Sequence, residues 1–249
     1  MVEALPALAS AAGFNLVGVV AVEAFDAAAP PESRIRTVLG NDGVRSVIVI
    51  GCGGTGFWEI FKGRRPGARP DELAAADGSI DAYSRPVVNR LAHEVNAQGA
   101  AAEPVFPFAH PGRSLSFRRL AEYAGFGTAG TVLTILLYPT YGPWVSLRGA
   151  IATDALLPAM GPLDGFDPCL GCPRPCAAAC PAVTFDGPSW DWDACLRYRV
   201  IDDGCPTGCL ARLACPIGAH SRYSGEEYAY RHAFAPERLA SLRARYRKA

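Results

Sequence analysis

The chain has no net charge and almost no lysine. Its 24 Lys and Arg residues balance 24 Asp and Glu, for a formal net charge of zero. That balance removes the electrostatic case for nucleic-acid binding, which rests on excess cations facing a phosphate backbone. Lys62 and Lys248 are the two lysines, and the arginine bias beside abundant alanine reads as genome composition rather than activity. Long hydrophobic runs are missing too. Stretches such as 131–138 fall far short of the ~20 residues that a membrane-spanning helix needs. The opening residues, Met1 to Pro6, carry no basic segment of the kind that begins a secretory signal. A soluble, cytoplasmic protein without a membrane partner is expected, in a compartment that keeps thiols reduced.

What the chain does have is cysteine, nine in all, eight of them between residues 169 and 215. One run is Cys169, Cys172, Cys176, Cys180 and then Pro181. A second is Cys205, Cys209, Cys215 and then Pro216, with Cys195 between the two. Disulfides would suit a small secreted scaffold, whereas half of these 249 residues are hydrophobic and can fill a core unaided. Zinc favours paired knuckles, and only Cys169 and Cys172 have that spacing. Eight thiolates match two [4Fe-4S] clusters, the preferred reading over zinc or disulfides. In bacterial ferredoxins the last cysteine of a run serves the other cluster. That crossing predicts Cys169, Cys172, Cys176 and Cys215 on one cluster, and Cys180, Cys195, Cys205 and Cys209 on the second. The spacings are wider than in the tight ferredoxin form.

Helices are predicted over residues 3–12, 80–98, 115–123 and 236–249, and strands over 15–22, 45–50 and 105–108. Residues 131–138 and 144–153 read as a hairpin joined at 139–143. The polar stretch 62–79, with Arg64, Arg65 and Arg69, reads as an exposed loop. Between 166 and 218 the composition turns to Cys, Pro and Gly, as suits a module held by metal ligation. Three parts are expected: residues 1–160 binding a cofactor, 161–222 holding the clusters, and 223–249 as a helical tail.

Several motifs resemble the epoxyqueuosine reductase family. The order of four cysteines, one lone cysteine and three more is similar, and Cys195-Leu196-Arg197-Tyr198 looks like that family's segment around its lone cysteine. Residues 124–130 (AGFGTAG) resemble its Ala-Gly-Leu-Gly-x-x-Gly, with Arg118 in the place of its arginine. Tyr141-Gly142-Pro143-Trp144 and Gly149 to Asp154 resemble its Tyr-Gly-Ser-Trp and Gly-Glu-x-x-Thr-Asp. The resemblance implies an α+β or α/β fold: a nitroreductase-like mixed sheet with flanking helices, plus a small ferredoxin-like double-cluster domain. It also implies cobalamin, reduced through the two clusters by a flavodoxin or ferredoxin. Gly53, Gly54, Gly56, Arg118, Gly130, Thr131 and Tyr141 are the implied cofactor-binding residues. Pro111 stands where that family has its proton-donating Asp, and Thr131-Val132 replaces Lys-Asn. These departures point to a small-molecule substrate rather than tRNA, with His110 as the acid, since His titrates near neutral pH.

Other readings stay open. Gly51, Gly53 and Gly56 match the dinucleotide fingerprint, which would bring flavin or NAD(P), although a plain loop is the simpler account. Cys52 reads as a buried structural thiol, and His93 and His220 as ordinary surface residues. A corrinoid protein served by this chain as activator is the alternative to a substrate of its own. The arginine-rich terminus is either a solvated helix or a dock for RNA or an acidic donor.

Overall fold

The computed structural model describes residues 4–63, 79–108, 115–182, 185, 190–234 and 236–247. Its centre is a four-stranded sheet of β1 (Leu16–Ala21), β2 (Ser46–Gly53), β6 (Val145–Thr153) and β3 (Ala102–Val105), in the spatial order β1-β2-β6-β3. All three pairings are antiparallel, where a mixed sheet is expected. The physical reason lies in the insertion of β6. Strands β2 and β3 run the same way, joined through α4 (Gly56–Gly63) and α5 (Ile80–Ala97), and β6 fills the gap between them in the opposite sense.

Every residue of β2 is buried. Alternation along the strand divides the core between two faces. Ile48, Ile50 and Cys52 join Phe57, Trp58, Val88 and Leu91 on one side. Val47 and Val49 join Phe25, Leu120 and Phe126 on the other. The second face is covered by α2 (Val22–Ala27), α3 (Ile35–Leu39) and α6 (Phe117–Tyr123), and α1 (Leu5–Ala11) packs on the first.

The predicted helix over 80–98 is α5, capped by Ser79, whose side chain accepts from the Ala82 N–H. Strand β3 lies earlier than the predicted 105–108. It sits at the sheet edge, where Pro104 is tolerated because its missing donor faces no partner. The predicted hairpin does not form. The second arm is β6, but of 131–138 only Leu136–Leu137 (β5) is strand, and it pairs with β4 (Thr128–Ala129). The chain does reverse at 139–143, with a two-bond bridge between Tyr138 and Gly142, but both edges of β6 are taken by β2 and β3.

The cysteine-rich segment carries α7 (Pro175–Ala178), α8 (Trp192–Val200) and α9 (Leu210–Ala214). After it, α10 (Gly225–His232) returns to the sheet domain. Tyr230 packs against Trp58 and Phe61, and Glu226 accepts from Trp58 and Lys62. The last helix, α11 (Pro236–Arg247), lays Leu242 and Tyr246 against Leu196 and Val200 of α8. Its Arg243 and Arg245 pair with Asp203 and Asp193, so those two cations are engaged within the fold. No helix among the described residues is long and apolar enough to cross a membrane.

Candidate functional site

Four of the eight clustered thiols, Cys180, Cys195, Cys205 and Cys209, line one cavity of about 190 Å3. Burial raises the Cys195 thiol to about 11, aided by repulsion from Cys209, Cys180 and Cys205. Cys209 is raised by burial as well, and it feels Cys205 and Cys180. The remaining four form a second set. Burial raises Cys176, which feels Cys215 and Cys169, and Cys215, which feels Cys169 and Cys172. Each of these couplings stays inside one set. No three His, Cys, Asp or Glu side chains among the described residues gather tightly enough for a single metal ion. A cuboidal cluster asks less of them, because it offers each thiolate its own iron. Half-buried, mutually repelling thiols fit such a cationic core, since ligation stabilises the thiolate that burial disfavours.

The wall of the cysteine cavity also contains Arg199, Arg212, Trp190 and His232. Burial and Arg199 hold the His232 imidazole down at about 4, so it is neutral. Arg212 stacks over Trp144 and Tyr223 at 4.9 and 5.1 Å and donates to the Pro143 carbonyl. It also lines two further recesses. One, of about 410 Å3, adds Asp81, Arg148, Tyr223 and Arg231. The other, of about 350 Å3, adds Arg118, Thr134, Ile135 and Leu136. The two share Val145 and Ser146 at the start of β6. Arg212 thus stands between the thiols and the open face of the sheet domain.

Local chemistry fixes this junction. Gly53 lies against Tyr141, where a Cβ would come within 2.2 Å of the ring. Asn15 accepts from the Gly53 N–H at 2.8 Å and donates to the Tyr141 hydroxyl at 3.1 Å. The Gly54 N–H donates to the Trp144 carbonyl. Those two amides are therefore already bonded within the fold. The fingerprint glycines do not form one loop either, because Gly51 and Gly53 belong to β2 and Gly56 opens α4. Gly142, with φ of +54°, abuts the Ile217 carbonyl, where a Cβ would stand 1.9 Å away. The 138–143 turn is in this way locked to the segment after Cys215.

Of the implied cofactor residues, Arg118 lines a recess and forms an ion pair with Glu122. Tyr141 is the wedge just described. The Gly130 N–H donates to the Ile135 carbonyl, and Thr131 is exposed. His110 and the arginines at 64, 65 and 69 lie outside the described residues. Cys52 is buried, its thiol raised by desolvation and pulled back by Arg231.

Sequence reasoning passes over Arg212, Tyr223, Glu227, Arg231 and His232. Two signals were present: an arginine between Cys209 and Cys215, and the i,i+4 pair Glu227 and Arg231. Arg231 Nε donates to Glu227 Oε1 at 2.8 Å, with both side chains nearly sealed from solvent. Burial raises the Glu227 carboxyl to about 7 against the pull of Arg231.

No family model matches this chain, and no curated protein matches its sequence. Solved structures do match in fold. An epoxyqueuosine reductase bound to a tRNA-Tyr stem loop aligns with a TM-score of 0.64 at 16% identity, over 92% of this chain and 68% of that one. The Bacillus subtilis epoxyqueuosine reductase aligns at 0.60 and 18%, over 90% and 66%. The reductive dehalogenase NpRdhA aligns at 0.59 and 22%, over 99% of this chain but 36% of that one. At these identities the likeness establishes a shared fold.

Proposed function

We propose that this protein is an iron–sulfur reductase of the cobalamin-related kind, diverged from the epoxyqueuosine reductases and acting on a small molecule. One observation carries the reading. The cavity lined by Cys180, Cys195, Cys205 and Cys209 shares Arg212 with both recesses over β6, so a redox centre and a ligand face meet across one side chain. The likeness in fold to an epoxyqueuosine reductase and to a B12-dependent dehalogenase supports it. We assign Cys169, Cys172, Cys176 and Cys215 to one [4Fe-4S] cluster and the other four cysteines to a second. When bound, the clusters supply low-potential single electrons and a corrinoid supplies the reduction of substrate.

The chain's own residues bind, orient and exclude water. Arg118 and Leu136 line the recess that would take the corrinoid, and Tyr141, bonded to Asn15 and packed on Gly53, fixes the turn that supplies Pro143 to that recess. Arg212, anchored on the Pro143 carbonyl, separates that recess from the thiols. His110 is proposed as the acid that delivers a proton to the product, and a flavodoxin or ferredoxin as the donor. The division into 1–160, 161–222 and 223–249 is proposed with it.

The test is an anaerobic EPR titration of iron–sulfur-reconstituted protein with cob(II)alamin. A change to the base-off signal, at about one cobalt per chain, is expected. An unchanged cobalt signal beside two reducible clusters would leave an electron carrier and dismiss the corrinoid.

A further inference from the structure

Among the described residues, the larger recess over β6 has three guanidinium groups in its wall, from Arg148, Arg212 and Arg231, and a single lining carboxylate, Asp81. Asp81 is engaged by Arg148, which also donates to Ser84 and Ser146 at 3.2 Å. Counting Glu227 behind Arg231 as ionised still leaves three cations against two carboxylates among the described residues. Polar groups in this wall are buried and lack a hydrogen-bond partner among the described residues. They are Nη2 of Arg231, Nε of Arg212 and the hydroxyl of Tyr223. The Arg231 side chain is 9% exposed and Tyr223 is 6% exposed. Guanidinium nitrogens only donate, and a phenol donates readily. Buried donors without acceptors are rare in folded proteins, and what these three lack in common is an acceptor.

We propose that this recess binds the oxyanion group, carboxylate or phosphate, of a small molecule. Arg231 and Arg212 turn their sealed guanidinium nitrogens onto it as it enters, and Tyr223 adds its hydroxyl. Guanidinium forks match the paired oxygens of such an anion. The volume of about 410 Å3 falls within the range of small-molecule sites. The site rests on protein groups alone and stands whether or not a corrinoid binds beside it.

Full-length, iron–sulfur-reconstituted protein is titrated calorimetrically with benzoate and, separately, with inorganic phosphate. Saturable binding of at least one is expected, weakened about tenfold in Tyr223→Phe, which loses one hydrogen bond to a charged group. The melting temperature of that variant should hold or rise, because the hydroxyl bonds nothing among the described residues. Arg231→Lys keeps the charge, loses the fork, and should weaken binding as well. Repeating the titration with cobalamin separates two sources of the oxyanion. Retained benzoate binding assigns the site to substrate, and competition assigns it to the phosphate of the cofactor's own tail. Protein that binds benzoate but no cobalamin would remove the corrinoid reading and keep this site. No saturable binding of either probe overturns the proposal, as does wild-type affinity in both folded variants.

Discussion

Arg212 shows what a single side chain can do at a boundary. It is sandwiched against Trp144, Tyr223 and Tyr228, a set of rings whose faces attract a cation. Anchored there, it cannot retreat into solvent, and three cavities inherit its charge. Glu227 is the opposite case, a carboxyl whose burial outweighs its arginine partner. Its folded value of about 7 lies above the ordinary 4.5. The fold therefore favours the protonated form. The stability it contributes is complete below pH 4.5 and is lost as pH rises through 7. The loss is at most on the order of 3 kcal/mol for a shift of that size. Glu227→Gln removes the titration while keeping an acceptor for Arg231. Melting temperatures taken between pH 5 and 8 should fall more steeply in the wild type than in the variant. Parallel profiles would show that Glu227 is ionised throughout.

Elements meet at Gly142. The turn at 138–143 reverses the chain, as its prolines and glycine suggest, but it serves as a latch rather than a hairpin tip. Its left-handed glycine admits the Ile217 carbonyl into the space a side chain would fill. Gly142→Ala must part the turn from the segment that follows Cys215. We expect a cost of about 1–3 kcal/mol, as for an overpacked contact, read as a lower melting temperature and poorer retention of iron on desalting. A variant that holds iron as the wild type does would mean that the latch does not position Cys215. Helix α10 acts at the same scale. It spans both parts, with Tyr230 on Trp58 and the Tyr228 hydroxyl on the Cys209 carbonyl at 2.9 Å.

At the scale of the whole molecule, the two runs of cysteine cross. Cys215, late in the chain, couples with Cys169 and Cys172, while Cys180, of the first run, couples with Cys195 and Cys209. Such exchange ties the first run to the last helix before the sheet domain resumes. Under the proposed ligand sets, Cys172→Ala should lower iron from about eight to about four per chain. One reducible cluster signal should remain in EPR. Unchanged iron, or the loss of both signals in a folded variant, would refute the pairing.

Local pattern was enough to read β1, β2, β6 and the helices α1, α5, α6 and α11, but not α2, α3 or the helices of the cysteine module. Buried β2 announced itself as an unbroken apolar run, α5 as apolar residues at helical spacing, and the cysteine module as a break in composition. Those signals are legible because they depend on residues close together in the chain. Strand neighbours were not legible in the same way. That β6 would enter between β2 and β3 and turn an expected mixed sheet antiparallel depends on which edges are free, a property of the assembled sheet. The arginine recess was hidden for a related reason. Arg148, Arg212, Tyr223 and Arg231 come from a strand, a cysteine-module helix, a loop and a late helix, and each is unremarked in its own segment. Only packing brings their charges together, and only burial leaves donors of Arg212, Tyr223 and Arg231 in want of an acceptor. The sequence by itself determined which residues could bind metal and fill a core, while the tertiary structure decided where charge is enclosed.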